Sequence, residues 1–151
     1  MKAMSSTSGF VPKSIDPSRL SLNTEDSSSG TLVGMKCGDC EVYVFGPALY
    51  CQSCTSEDLK PVELGTTGTL YSFTQVHVPP EGWPGEVPYI LGQIELPQGP
   101  HLLAEIVDST VSALTIGMEV HLTLRPVQID GSEEHVMVYK FSRHNKGKRC
   151  E

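Results

Sequence analysis

Cys37-Gly38-Asp39-Cys40-Glu41-Val42-Tyr43-Val44-Phe45-Gly46-Pro47-Ala48-Leu49-Tyr50-Cys51-Gln52-Ser53-Cys54 sets two C-x2-C pairs ten residues apart. Each pair can turn two thiolates to one side, and four such ligands complete a tetrahedral metal site. The spacer, residues 41–50, reads as strand, Gly46-Pro47 turn, strand, a hairpin that returns the second pair beside the first. Two disulfides fit a reducing compartment poorly. A lone redox pair would need a βαβ surround that this chain lacks. Iron held by four thiolates is a genuine rival to zinc, which is favoured because nothing nearby suggests electron transfer. With every position filled by protein, the metal is structural and folds a segment too small to fold alone. Cys150 is expected to be an incidental thiol.

Downstream, the chain reads as strands punctuated by Gly and Pro. A long β-branched and aromatic run covers residues 67–78. Runs at 89–96 and 101–107 flank the hairpin signal Pro97-Gln98-Gly99-Pro100. Asp108 reads as the N-cap of one short helical turn through Leu114. In residues 118–125, Val120, Leu122 and Leu124 alternate with Glu119, His121, Thr123 and Arg125, the period of a half-buried strand. The last strand covers 135–141. Five strands with a short helix between the third and fourth match a five-stranded, partly open Greek-key barrel, the OB-fold.

The fold class expected is therefore all-β: a four-cysteine zinc ribbon followed by a five-stranded OB-fold barrel, with a Ser-rich N-terminal extension. Boundaries fall at 1–30 for the extension, 31–60 for the ribbon, 61–142 for the OB-fold and 143–151 for a basic tail. The extension holds nine Ser and eight apolar residues. It should be loose on its own, or ordered against a partner.

The chain is 151 residues long with a net charge of −7, and residues 1–142 carry seven cations against 17 acids. Such a body repels a phosphate backbone, so nucleic-acid binding is not expected. The acidic loop at Asp130, Glu133 and Glu134 weakens a single-strand-binding reading further. No apolar run nears the ~20 residues of a membrane span. With no signal-like leader the expected location is the cytoplasm.

Residues able to carry catalysis are not found. Of five histidines, His101, His121 and His135 read as polar positions on a half-solvated sheet and His144 lies in the tail. His77 alone precedes an unusual loop, Pro79-Pro80-Glu81-Gly82-Trp83-Pro84-Gly85-Glu86-Val87-Pro88-Tyr89, which holds the chain's one tryptophan. Its prolines favour a fixed shape, and rigid loops with exposed aromatics serve recognition. Trp83 folding back to cap the barrel is an equal alternative.

The ordered combination of the two cysteine pairs, Gly68-Thr69-Leu70-Tyr71-Ser72-Phe73, Val78-Pro79-Pro80, Pro88-Tyr89, Gly99-Pro100, Ile116-Gly117-Met118-Glu119-Val120 and Tyr139-Lys140-Phe141 resembles a known family. Its members are the zinc-ribbon/OB-fold acyl-CoA-associated proteins, long known as a domain of unknown function. The resemblance spans residues 32–141 and implies a non-catalytic accessory subunit. Its partner would be a thiolase-like catalytic subunit, and the ligand of the complex a coenzyme A thioester. Other members support dehydratases or bridge a thiolase to a hydroxymethylglutaryl-CoA synthase. Within the family the chain looks most like thiolase small subunits of anaerobic toluene breakdown, which act on benzoylsuccinyl-CoA. On this reading Cys37, Cys40, Cys51 and Cys54 hold zinc, while His77, Trp83 and Tyr89 contact partner or acyl-CoA.

Overall fold

A computed structural model describes residues 13–23, 29–83, 85–128 and 135–143. Ten strands account for nearly all regular structure: β1 (Lys13–Ser14), β2 (Leu20–Leu22), β3 (Gly30–Cys37), β4 (Tyr43–Phe45), β5 (Leu59–Gly65), β6 (Thr67–Val76), β7 (Tyr89–Glu95), β8 (His101–Val107), β9 (Glu119–Gln128) and β10 (His135–Ser142). Among the described residues no helix is long and apolar enough to cross a membrane.

The last five strands close on themselves. β6 pairs antiparallel with β7, β7 with β8, β10 with β9 and β9 with β6, and the circuit closes through a parallel pairing of β8 with β10. That order is the OB barrel expected from the sequence. Its alternation sends Leu70, Ile90, Ile94, Leu102, Ile106, Val120 and Phe141 into one buried cluster. Thr123 departs from the expected pattern and is 2 % exposed although it stands on the polar side of β9.

β3 is the spine of a second sheet. β5 pairs along one edge, while β2 and then β4 share the other, at Gly30–Leu32 and Gly34–Lys36 respectively. The hairpin expected between the cysteine pairs is therefore only half formed. β4 is its one strand, and after Gly46, at φ +83, the chain returns without pairing. The second partner of β3 is supplied instead by β5, which runs across the 60/61 boundary. Leu32 and Leu64 of this sheet pack into the same cluster as the barrel residues, so ribbon and barrel share one core.

Within the Ser-rich segment, Lys13–Ser14 adds parallel to β10 and Leu20 is fully buried against Leu124 and Met137. The first 12 residues, residues 24–28, the 129–134 loop with its three acids, and residues 144–151 with His144 and Cys150 lie outside the described residues.

Asp108 is not the N-cap the sequence suggests. The short turn is a three-residue 3-10 helix, Val111–Ala113, whose N-cap is Thr110. Asp108 adopts left-handed backbone at φ +57 to turn the chain out of β8, and its carboxylate is engaged by Arg125. The turn starts at Val111, so Asp108 lies two residues before the cap position.

Candidate functional site

The two cysteine pairs form matching turns. Cys37 N–H donates to Val42 C=O (2.9 Å) and Cys51 N–H to Ser56 C=O (2.8 Å), five residues on in each case. Glu41 and Thr55 N–H donate back to Cys37 and Cys51 C=O, and both residues sit at φ +65. Asp39 and Ser53 N–H each point at the first sulfur of their pair from 3.4 Å. The Ser56 hydroxyl donates to the Asp39 carboxylate and ties one turn to the other. The same local fold is thus built twice and set face to face.

All four Sγ atoms lie within 4.8 Å of one another. Cys37 and Cys54 are 3.6 Å apart and Cys40 and Cys51 3.4 Å. These separations are far beyond the ~2.05 Å of a disulfide. They approach the ~3.8 Å edge of a tetrahedron whose sulfurs stand about 2.3 Å from a central ion. Four cysteines are therefore positioned to bind a metal ion, and soft thiolates turned inward suit zinc or iron.

The electrostatics agree. N–H groups of Cys40 and Asp39 favour the Cys37 thiolate and lower its pKa, and those of Cys54 and Ser53 hold Cys51 at about 6. On Cys40 and Cys54 the N–H groups of Val42 and Ser56 also favour the thiolate. There the facing sulfurs and burial outweigh them, raising both, Cys54 to about 12. Four adjoining thiolates repel unless a cation sits among them.

A second feature lies on the barrel. A cleft of about 1140 Å³ opens between β8 and β10, walled by Trp83, Tyr89, Leu91 and Leu103 and flanked by Arg19 and Lys140. Trp83 stacks on Tyr89, ring centroids 4.1 Å apart and planes at 17°. Both cations are committed: Arg19 to Asp16, and Lys140 to Glu105 at 2.7 Å. The cleft thus joins apolar and aromatic walls to charges that are neutralised in pairs. The structure brings Trp83 and Tyr89 together here and leaves His77 exposed, outside the cleft lining. Sequence reasoning missed Arg19, Lys140 and their partners. Asp16-Pro17-Ser18 does carry a turn signal, since Asp16 accepts from the Ser18 N–H at 3.0 Å.

A DUF35 domain-containing scaffold protein of Methanocaldococcus jannaschii is 30% identical over 112 residues, covering 73% of this chain and 79% of its own length. The chain belongs to the DUF35 family. Residues 61–125 of this DUF35 chain match the C-terminal OB-fold domain of ChsH2. The benzoylsuccinyl-CoA thiolase subunit BbsA of Geobacter metallireducens is 28% identical over 119 residues, 79% of each chain. A solved structure described as the Ltp2-ChsH2(DUF35) aldolase superposes with a TM-score of 0.56 at 30% identity, over 73% of this chain and 84% of that one.

Proposed function

We propose that this chain is a non-catalytic accessory subunit of an acyl-CoA enzyme of the thiolase type, working in the cytoplasm. Cys37, Cys40, Cys51 and Cys54 hold a structural zinc ion, which supplies rigidity and no open coordination position. Bond cleavage in the coenzyme A thioester belongs to the catalytic partner. The substrate we favour is benzoylsuccinyl-CoA, the compound named for the BbsA relatives of Geobacter metallireducens and Thauera aromatica.

One observation carries this reading: the ribbon and barrel together, rather than the barrel alone, align with proteins named as a thiolase subunit and as scaffolds, over 79% of their length. The chemistry of the chain supports it. Its thiol sulfurs converge on one another, and its cleft offers rings, apolar walls and charges already paired rather than a nucleophilic centre. Trp83 and Tyr89 would meet the partner or the pantetheine arm, with His77 at the margin. The domain division at 1–30, 31–60, 61–142 and 143–151 is part of the same reading, with the first segment completing its order on the partner.

The test is an affinity-tagged chain expressed at native level in its own host. A thiolase homologue should co-purify, and cleavage of a 3-oxoacyl-CoA should require both chains. Recovery with an aldolase or a hydratase instead would keep the accessory role and replace the thiolase. A clean monomer at native expression would end the proposal.

A further inference from the structure

The closure of the barrel between β8 and β10 is incomplete. β1 pairs with β10 at Val136 and Met137, and β8 pairs with it at Phe141 and Ser142. Among the described residues no strand pairs with Val138, Tyr139 or Lys140 on the side away from β9. The direction of the backbone groups there follows from the ladders. Ile15 N–H donates to Met137 C=O at 3.0 Å, so Met137 faces away from β9, and by alternation so does Tyr139. Proline at the facing position, Pro126, agrees, since it has no N–H to offer Met137.

The other wall is equally open. Leu96 N–H donates to Pro100 C=O at 2.8 Å, which puts the hydrogen-bonded rungs of β7 and β8 at Leu102, Ala104 and Ile106. Leu103 therefore turns its N–H and C=O from β7 toward β10. Leu103 and Tyr139 both line the cleft. Trp83 Nε1, in the same wall, is buried and has no partner among the described residues. Two open strand edges facing one space call for an extended chain with donors and acceptors at peptide spacing. The flanking charges are already neutralised in pairs, which fits an uncharged segment.

We infer that this seam is a slot for an extended, uncharged segment of the catalytic partner, which adds as a strand between β8 and β10. The chain's own β1 already adds to the same edge of β10 two residues away. This inference rests on the accessory-subunit reading above. Main-chain bonds to Tyr139 and Leu103 would give affinity, and Trp83 and Tyr89 would select the side chains that follow.

The test is amide hydrogen exchange on the full chain, alone, with coenzyme A, and in the complex captured from the native host. The Tyr139 and Leu103 amides should exchange freely in the isolated chain and slow at least about tenfold in the complex. Leu103→Pro removes the slot donor without touching a rung to β7. It should weaken association about tenfold or more, while Leu103→Ala changes it far less. A complex that leaves both amides as fast as in the free chain overturns the slot and spares the accessory role. Protection already present in the isolated chain, or conferred by coenzyme A alone, overturns it too. Failure to capture any acyl-CoA enzyme brings down both readings together.

Discussion

Gly34 lies so close beneath Val44 that a Cβ added to it would stand 2.0 Å from the Val44 carbonyl oxygen. The Leu64 side chain would stand 2.9 Å from the same point. The Val44 oxygen is backbone held in the β3–β4 pairing and cannot swing aside as a side chain could. Gly34→Ala should therefore destabilise the chain by about 3 kcal/mol, as overpacking of a tight site does. The fall in the urea midpoint measures it. A midpoint shift of less than a few tenths molar would mean that β3 can slide, which its two partnered edges argue against.

Loss of the metal should reach the barrel. The ribbon sheet contributes Leu32 and Leu64 to the cluster that also holds Leu70, Ile94 and Phe141. Cys51→Ser should sharply reduce the metal bound by the four-cysteine site, read by elemental analysis. It should also lower a single thermal transition followed by circular dichroism, because one core melts as one unit. An unchanged barrel transition beside a melted ribbon would show two independent units.

How far the sequence could be read depends on the range of the forces involved. The thiol cluster was legible because ligand spacing is a local property of the chain and the metal demands it. The barrel strands were legible because Val120, Leu122 and Leu124 repeat at the period of the pleat. The partner of β3 was not, since β5 lies beyond the second cysteine pair and pairing register is decided by tertiary packing. Leu20 and Arg19 were hidden for the same reason: a sparse apolar set in a Ser-rich stretch looks loose until the surface that covers it is known. Asp108 misled because a good capping residue also suits a left-handed turn, and it is spent turning the chain out of β8 two residues before the cap.

Acid should loosen the N-terminal segment. The Ser18 hydroxyl, its N–H and Arg19 all favour the Asp16 carboxylate and lower its pKa below the ordinary value of 3.8. A depressed folded-state value stabilises the fold above the unfolded pKa, and the contribution is lost as pH falls through the folded one. The Ile15 and Leu20 methyl resonances should therefore shift as pH falls below 4 and through the lowered Asp16 value. Asp16→Asn should abolish that step. Persistence of the step in the variant would assign it to another carboxylate.

Trp83 is the chain's one tryptophan, and its fluorescence reports the cleft without interference. Its ring is only partly buried, so its packing contribution comes chiefly from the face it lays on Tyr89. An aromatic pair of this kind adds about 0.5–1.5 kcal/mol. If packing were its whole purpose, Trp83→Ala would cost stability in that range and leave association with the partner untouched. A loop of prolines that fixes a ring at the mouth of an open barrel seam argues for more. Anchoring aromatics at interfaces commonly account for 2 kcal/mol or more, so Trp83→Ala should weaken partner binding by about thirtyfold. Titration calorimetry on the purified pair, read beside the thermal midpoint, separates the two. A stability loss with affinity intact would make Trp83 a lid on the barrel and nothing else.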